Sequence, residues 1–533
     1  MPKNNESRYF EDSFKSSNQG LRSYFGNVVK GQPKVYETPF AKGESTKQML
    51  NEWMGHLESI DTAWPSLVKY EQDLAKKVGP MSVMLPLSER MDDIDSYYDG
   101  ILLPSEPVSD RAVKAVISEW SKIRGLEVRN QKRTVELMKK STNSGSPYFA
   151  KRKTVIKETL PTRVWQWNLE TFQDLNGKEW SAAAVLGWRG QEGGPQKSDV
   201  KQRVIWMFPF AVNICELEVY QPLIEAAQRF NLVPAWVSMD SVDASITRLF
   251  DTKAKSDLVV CTDFSAFDQH INPKLQDCAK SILSAILSPG MTSDAWLEEV
   301  FPIKYTIPLA YNWGKVRFGK HGMGSGSGGT NCDETLLHRA LQYEAAQSAG
   351  ARLNPNSQCL GDDGILSYPG ITVEDVVKSY SSHGLEMNLD KQEAATDYCT
   401  YLRRWHHIKY RQDGICVGVY STARALGRLR YIERYQDPEY WDAKAVALRE
   451  LAILENVKYH PLKEEFVEFC MKRDKYRLGI DIPHFLDNIE RVAQEKIDAM
   501  PDFLGYTRSQ QAVNGNVASG ISGWWIVNYL KSK

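Results

Sequence analysis

Apolar residues along this chain recur with two different periods. Through KQMLNEWMGHLESI (47–60) and AVKAVISEWSKIRGL (112–126) they return every three or four positions, which predicts a mainly helical stretch from about residue 50 to 140. The same spacing predicts helices in EYWDAKAVALRELAILENV (439–457) and PHFLDNIERVAQEKIDAM (483–500). Between these lie short apolar runs bounded by turn residues: KQRVIW (201–206), LVVC (258–261) and the two arms of QCLGDDGILSYPG (358–370). Such runs predict strands, and the last, with Asp-Gly between apolar arms, predicts a hairpin. Asp413-Gly414 marks a second hairpin. The pattern is that of a mixed α+β chain.

Length and charge narrow the reading. Single cores stop growing near about 250 to 300 residues, so 533 residues predict several subdomains. A net charge of −1 points to neither a polyanion nor a membrane surface, so evidence for either must be local. The eight cysteines are scattered, with no C-x-x-C pair and no cysteine–histidine cluster at zinc spacing, as expected of reduced thiols. No run of about 18 apolar residues occurs and the amino terminus has no apolar signal core, so a soluble intracellular chain without membrane contact is expected.

Local charge is uneven. From Lys122 to Arg163 there are many cations and few acids, either a solvated helix face or a polyanion surface. Inside this stretch STNSGSPYF (141–149) is a loop of small hydroxyls, Gly and Pro ending in aromatics, suited to contact with a phosphate backbone through Ser144, Gly145, Ser146 and Pro147, with Lys151 and Arg152 following. Further on come Arg189, Lys197, Lys201 and Arg203. The last two stand two apart, so on a strand they share a face, either toward solvent or in reach of one triphosphate.

Candidate chemistry sits in three places. Asp263 ends the LVVC strand at a sheet edge, with Asp268 five residues later. A Gly/Ser loop (Ser325, Gly326) runs into an amphipathic helix for which Thr330 is the expected cap, but without the G-x-x-x-x-G-K-[ST] pattern of a nucleotide hydrolase. Then come Asp362 and Asp363, ordinary turn residues if taken alone. If the hairpin carrying them pairs beside the strand ending at Asp263, three carboxylates converge at one sheet edge. Such a set repels itself unless divalent cations bind, and hard oxygen ligands beside phosphate point to Mg²⁺ or Mn²⁺. Two ions about 3.5 to 4 Å apart can activate a 3′-hydroxyl and stabilise leaving pyrophosphate.

These motifs in this order resemble those of viral RNA-dependent RNA polymerases. STNSGSPYF is similar to a template-contacting motif and KQRVIW to the basic motif of the nucleotide tunnel. DFSAFD, SGSGGT and LGDDG are similar to the first three palm motifs, VEDVVKSYSSHGLEMNLDKQ to the fourth and YLRRWHHIKY to the primer grip. KQRVIW and SGSGGT are most similar to the picobirnavirus and partitivirus group, picobirnavirus above all. The resemblance implies a right hand: an N-terminal arm (1–45) bridging fingers and thumb, fingers (46–240, with an insertion at 271–315), palm (241–270 and 316–411) and a helical thumb with a C-terminal tail (412–533).

It also implies Asp263 and Asp362 as metal ligands supported by Asp363, Lys391 as general acid for pyrophosphate, Arg189, Lys201 and Arg203 as triphosphate contacts, and Asp268, Ser325, Gly326, Thr330 and Asn331 as ribose and template-pair readers. Mg²⁺ or Mn²⁺ would be the cofactor. The partners would be RNA template, nascent RNA, ribonucleoside triphosphates and a capsid protein, in the virion interior and host cytoplasm. One position departs from the pattern: Glu334 stands where the second motif usually carries Asn. A reverse transcriptase would share the palm, but it usually has aromatics where Leu360 and Asp268 stand here. An inactive RNA-binding scaffold is opposed by the intact aspartates. Two segments stay open. The polar first 45 residues, with Tyr9, Phe10, Phe14, Tyr24 and Phe25, are either disordered or an arm. The Gly/Ser/Asn-rich stretch from Ser509 to Gly523, before Trp524, Trp525 and Tyr529, is either an initiation platform or a loop whose tryptophans pack nearby.

Overall fold

The structure is a computed structural model that describes Asn5–Glu6, residues 19–499 and residues 520–533. Helices and short strands alternate along it, and two large apolar clusters hold most of the core. The first cluster spans Val28 to Leu385 and includes Tyr97, Trp120, Trp206, Val260 and Leu341. The second gathers the carboxyl-terminal helices around Leu448, Leu451, Phe466 and Val527.

Four antiparallel strands form the sheet that matters for chemistry, in the order Gln358–Leu360, Asp363–Leu366, Val259–Thr262, Glu393–Ala395. Val259–Thr262 lies inside it, and all four of its residues are buried, as a continuous apolar run on an inner strand requires. Across one face runs the helix Thr330–Ser348. Its pattern predicted an amphipathic helix, yet Asp333, Glu334, His338 and Gln342 are buried as well as the apolar positions. Polar groups can be buried there because each finds partners. Gln342 Nε2 donates to Gln358 O (2.9 Å) and Ile365 O (3.2 Å), tying the helix to both hairpin strands.

A second sheet contains Asn5–Glu6, Lys315–Arg317, Leu309–Asn312, Ala184–Gln191 and Lys201–Met207 in that order. The helix Gln19–Lys30 packs on it through Leu21 and Phe25, against Val185 and Val316. The chain then crosses the molecule: Tyr36–Glu37 pairs with Tyr431–Ile432, and Phe40, Met49, Trp53 and Leu57 enter the carboxyl-terminal cluster. Segment 19–57 therefore spans the two ends. The boundary expected at residue 46 falls inside that cluster, because helical periodicity says which face is buried but not against what. Tyr24 and Phe25 of the expected arm are ordered, whereas Tyr9, Phe10 and Phe14 lie outside the described residues.

At the carboxyl end the structure favours packing over a platform. Trp525 stacks on Tyr529 (ring centroids 5.4 Å apart), Lys463 lies over the Trp525 ring, and both aromatics and Trp524 rest on the carboxyl-terminal cluster. Buried Ile526, Val527 and Leu530 fix that helix, Trp525–Lys531. Most of the stretch from Ser509 lies outside the described residues. No described helix is long and apolar enough to cross a membrane.

Candidate active site

The strand register answers the question posed by the adjacent aspartates. Gly364 pairs with Thr262, Ile365 with Cys261 and Leu366 with Val260, so one further step along both strands puts Asp363 opposite Asp263. Leu360 pairs with Asp363, leaving Gly361 and Asp362 as a two-residue turn. Gly361 has φ +58°, a left-handed conformation that glycine adopts without steric cost. The helix Thr330–Ser348 grips this turn at two points: Thr335 Oγ1 accepts from the Gly361 amide (3.0 Å) and His338 Nδ1 meets Gly361 O at 2.8 Å. Burial lowers the His338 imidazole to about 4, so the ring is neutral at neutral pH and Nδ1 carries the proton it donates. Sequence reading did not single out His338, since a lone histidine on a helix carries no spacing signal.

The three aspartates meet different surroundings. Asp263 and Asp362 are exposed, and among the described residues no protein donor engages either carboxylate. The backbone of Asp263 is clamped by Gln392, whose Oε1 accepts from the Asp263 amide and whose Nε2 donates to its carbonyl, both at 2.8 Å. Partial burial raises the Asp263 carboxyl, against the pull of Lys391 and Lys201. Asp363 Oδ2 is taken by the Leu402 amide (2.8 Å), and burial pushes its carboxyl up to about 7. No group of three acidic, His or Cys side chains among the described residues is drawn close enough to hold an ion. The expected trio is thus a pair of available hard oxygen ligands, Asp263 and Asp362, with Asp363 committed to the backbone. That donor set fits Mg²⁺ or Mn²⁺.

Beside it opens a cavity of about 660 Å³ lined by Asp263, Asp363, Lys201, Arg203 and Lys391. Lys201 and Arg203 share the exposed face of their strand, and burial followed by Arg203 lowers the Lys201 ammonium. Lys77, Arg403, Arg424 and Arg428, not picked out from the sequence, also line the wall. The i, i+4 spacing of Arg424 and Arg428 on one helix was the available signal. Arg424 and Arg403 both pair with Glu192. Arg189 sits outside this lining: its Nε is held by Glu433 at 3.0 Å.

Asp268 faces Glu334. Burial raises both carboxyls, Glu334 well above its ordinary range, with Asp268 the next cause. Glu334 thus occupies the place beside Asp268 that the departure from the usual Asn left open. Asn331 Oδ1 accepts from Trp236 Nε1 (2.7 Å), and its amide faces the Gly361 turn. Thr330 is not the helix cap. Gly329 stands at that position, and the Thr330 hydroxyl turns back to Ser327 O (3.2 Å). Ser325 Oγ accepts from the Trp206 amide (3.3 Å), and a Cβ on Gly326 would overlap Trp206 O.

The upstream loop also differs from expectation. Ser144, Ser146 and Pro147 are buried: Ser144 closes the loop by accepting from Ala150 N, and Ser146 O accepts from Gln173. Small hydroxyls served loop closure instead of an open surface, a choice composition cannot show. Gly145 and Arg152 line a second cavity of about 630 Å³, together with Tyr24, Phe149, Met207 and Gly326. Lys151 is exposed.

Known proteins share the sequence and fold of this chain. Residues 29–434 match the family described as viral RNA-dependent RNA polymerase. The chain is 62% identical over 523 residues, 98% of each sequence, to a potential RNA-dependent RNA polymerase of a human picobirnavirus strain from Thailand. It superposes on the crystal structure of the RNA-dependent RNA polymerase of a human picobirnavirus with a TM-score of 0.94 at 61% identity, covering 98% of both chains. For the insertion loop deletion mutant of such a polymerase the TM-score is 0.92 at 60% identity, again over 98% of each.

Proposed function

The chain belongs to the viral RNA-dependent RNA polymerases, and from that premise we propose that it copies a double-stranded RNA virus genome by metal-assisted nucleotidyl transfer at Asp263 and Asp362. The single observation that carries this reading is the register that brings the Asp362 turn beside the end of the Asp263 strand, with the Asp263 carboxylate lining a cation-rich cavity. When bound, Mg²⁺ or Mn²⁺ supplies activation of the 3′-hydroxyl and charge neutralisation at the reacting phosphate. Asp263 and Asp362 would hold it, and Gln392 and the Gly361 turn keep their backbones in place.

Lys201 and Arg203, on one strand face, bind the triphosphate of the incoming ribonucleotide. Lys391, exposed on the same cavity and near Asp263, gives a proton to departing pyrophosphate in this reading. Asp268, oriented by Glu334, accepts from the ribose 2′-hydroxyl, the group that separates RNA from DNA precursors. Template RNA passes the cavity lined by Gly145, Arg152 and Gly326. In infection the enzyme works in the virion interior and host cytoplasm, beside the capsid protein.

The test is ribonucleotide incorporation on an RNA template with Mg²⁺ or Mn²⁺. Template-dependent RNA product with release of one pyrophosphate per nucleotide is expected. A DNA product, or no product from intact protein with either ion, would overturn the reading.

A further inference from the structure

Helix Phe210–Arg229 lies between the loop around Arg152 and the Gly/Ser loop before Thr330. Its first two turns carry two buried polar side chains, Asn213 and Glu216, at 5% and 0% exposure. Asn213 Oδ1 accepts from Arg152 Nη2 (2.8 Å). Its Nδ2 donates to Gly326 O (3.1 Å) and to Glu216 Oε1 (3.1 Å). Glu216 Oε1 also accepts from the Gly328 amide (3.1 Å), and Oε2 accepts from the Ser327 hydroxyl.

Every polar atom of both side chains is therefore used, and each bond fixes the next. Arg152 has only donors to offer, so it must face Asn213 Oδ1; this turns Nδ2 toward Gly326 and Glu216. The Glu216 carboxylate then meets three donors from Asn213, Ser327 and Gly328. Burial raises its carboxyl against the pull of Lys304, which is itself paired with Asp333 at 3.0 Å. A buried carboxylate is costly unless its hydrogen bonds are complete, so losing one contact loosens the rest. Arg152 also stacks over the Phe210 ring (5.2 Å), which holds the guanidinium at the helix start. A displacement of Arg152 thus passes through Asn213 and Glu216 to the backbone of Gly326 and Gly328.

We propose that Asn213 and Glu216 are positioning residues forming a hydrogen-bonded relay, through which the state of the Arg152 loop sets the position of the Ser325–Gly329 loop. That the first loop meets template and the second meets the incoming nucleotide rests on the function proposed above; the relay itself does not. A strand that draws Arg152 toward its phosphates would alter the nucleotide pocket without touching it.

The relay is tested on the full chain by hydrogen–deuterium exchange of segment 324–330 without RNA or nucleotide. Arg152→Ala should speed exchange there by about three- to tenfold, the range expected of coupled neighbours, and Asn213→Ala should do the same. In the Asn213→Ala background, adding Arg152→Ala should change nothing further. Glu216→Gln keeps an oxygen for Asn213 and Gly328 and a polar group for Ser327, so it should stay near wild type and serves as the variant that folds in any case. In it, Arg152→Ala must still speed exchange. Unchanged exchange in Arg152→Ala, or equal effects of Arg152→Ala with and without Asn213, would overturn the relay.

A second arm adds a short single-stranded RNA. It should alter exchange of 324–330 in wild type and lose that effect in Asn213→Ala at RNA saturation. RNA effects that persist in Asn213→Ala count against the relay, whereas no RNA binding by wild type counts against the polymerase reading alone.

Discussion

Among the acidic residues at the hairpin, availability separates the roles that adjacency in sequence blurs. Asp362 is exposed on the turn, while the Asp363 carboxylate is bound by the Leu402 amide. Asp363→Asn keeps an oxygen for that amide and should lose several-fold less nucleotide-addition rate than Asp362→Asn, measured under single-turnover conditions; equal losses would make Asp363 a direct ligand. Asp268→Ala, by removing the proposed 2′-hydroxyl acceptor, should reduce preference for ribonucleotides over deoxynucleotides by tenfold or more, on the order of one good hydrogen bond to a charged group. Unchanged sugar preference would remove Asp268 from that role. Asp263, Asp362, Lys201 and Arg203 were legible because strand ends and alternate positions fix where side chains point. Glu334 was legible only as a departure from the motif and His338 not at all, since their partners Asp268 and Gly361 come from other elements and meet them only in the folded chain.

At the scale of elements, the hairpin, the inner strand and the helices could be read from period and turn residues. Their packing could not. Helix Thr330–Ser348 looked amphipathic, but the hairpin and the Lys304–Asp333 pair cover its polar side. The Gly/Ser loop reads as flexible by composition, and the structure instead locks it against Trp206 and Glu216. Gly326→Ala would force the Trp206 strand and this loop apart, at a cost of about 1 to 3 kcal/mol as for other overpacked sites. A lowered thermal midpoint and at least tenfold slower RNA synthesis are expected, and a fully active, equally stable Gly326→Ala protein would show that the loop yields there.

For the whole molecule, near-zero net charge conceals a sorted distribution in which Lys77, Lys201, Arg203, Lys391, Arg403 and Arg428 face one cavity. RNA binding should accordingly weaken steeply with salt, by orders of magnitude between about 50 and 200 mM; a flat dependence in a filter-binding titration would contradict this. The two ends of the molecule are joined by residues far apart in sequence. Buried Glu71 accepts from the Thr422 amide (3.1 Å) and hydroxyl, and burial raises its carboxyl to about 7. An acid raised on folding is ionised first in the unfolded chain, so stability falls as pH rises from about 4.5 to 7 and then levels off. Glu71→Gln should gain on wild type over that window by on the order of 3 kcal/mol, read from denaturation midpoints at pH 5 and 8; a pH-independent difference would contradict the assignment.

The central claim is that Asp263 and Asp362, brought together by the strand register, perform the chemistry while other groups hold the RNA. Single-nucleotide addition to a primed RNA template by Asp263→Ala and Asp362→Asn, with RNA affinity measured on the same preparations, tests it most directly. The account predicts a loss of about a thousandfold or more in addition, with RNA affinity within a few-fold of wild type because phosphate contacts supply it. Nucleotide addition at the wild-type rate by either variant would contradict it.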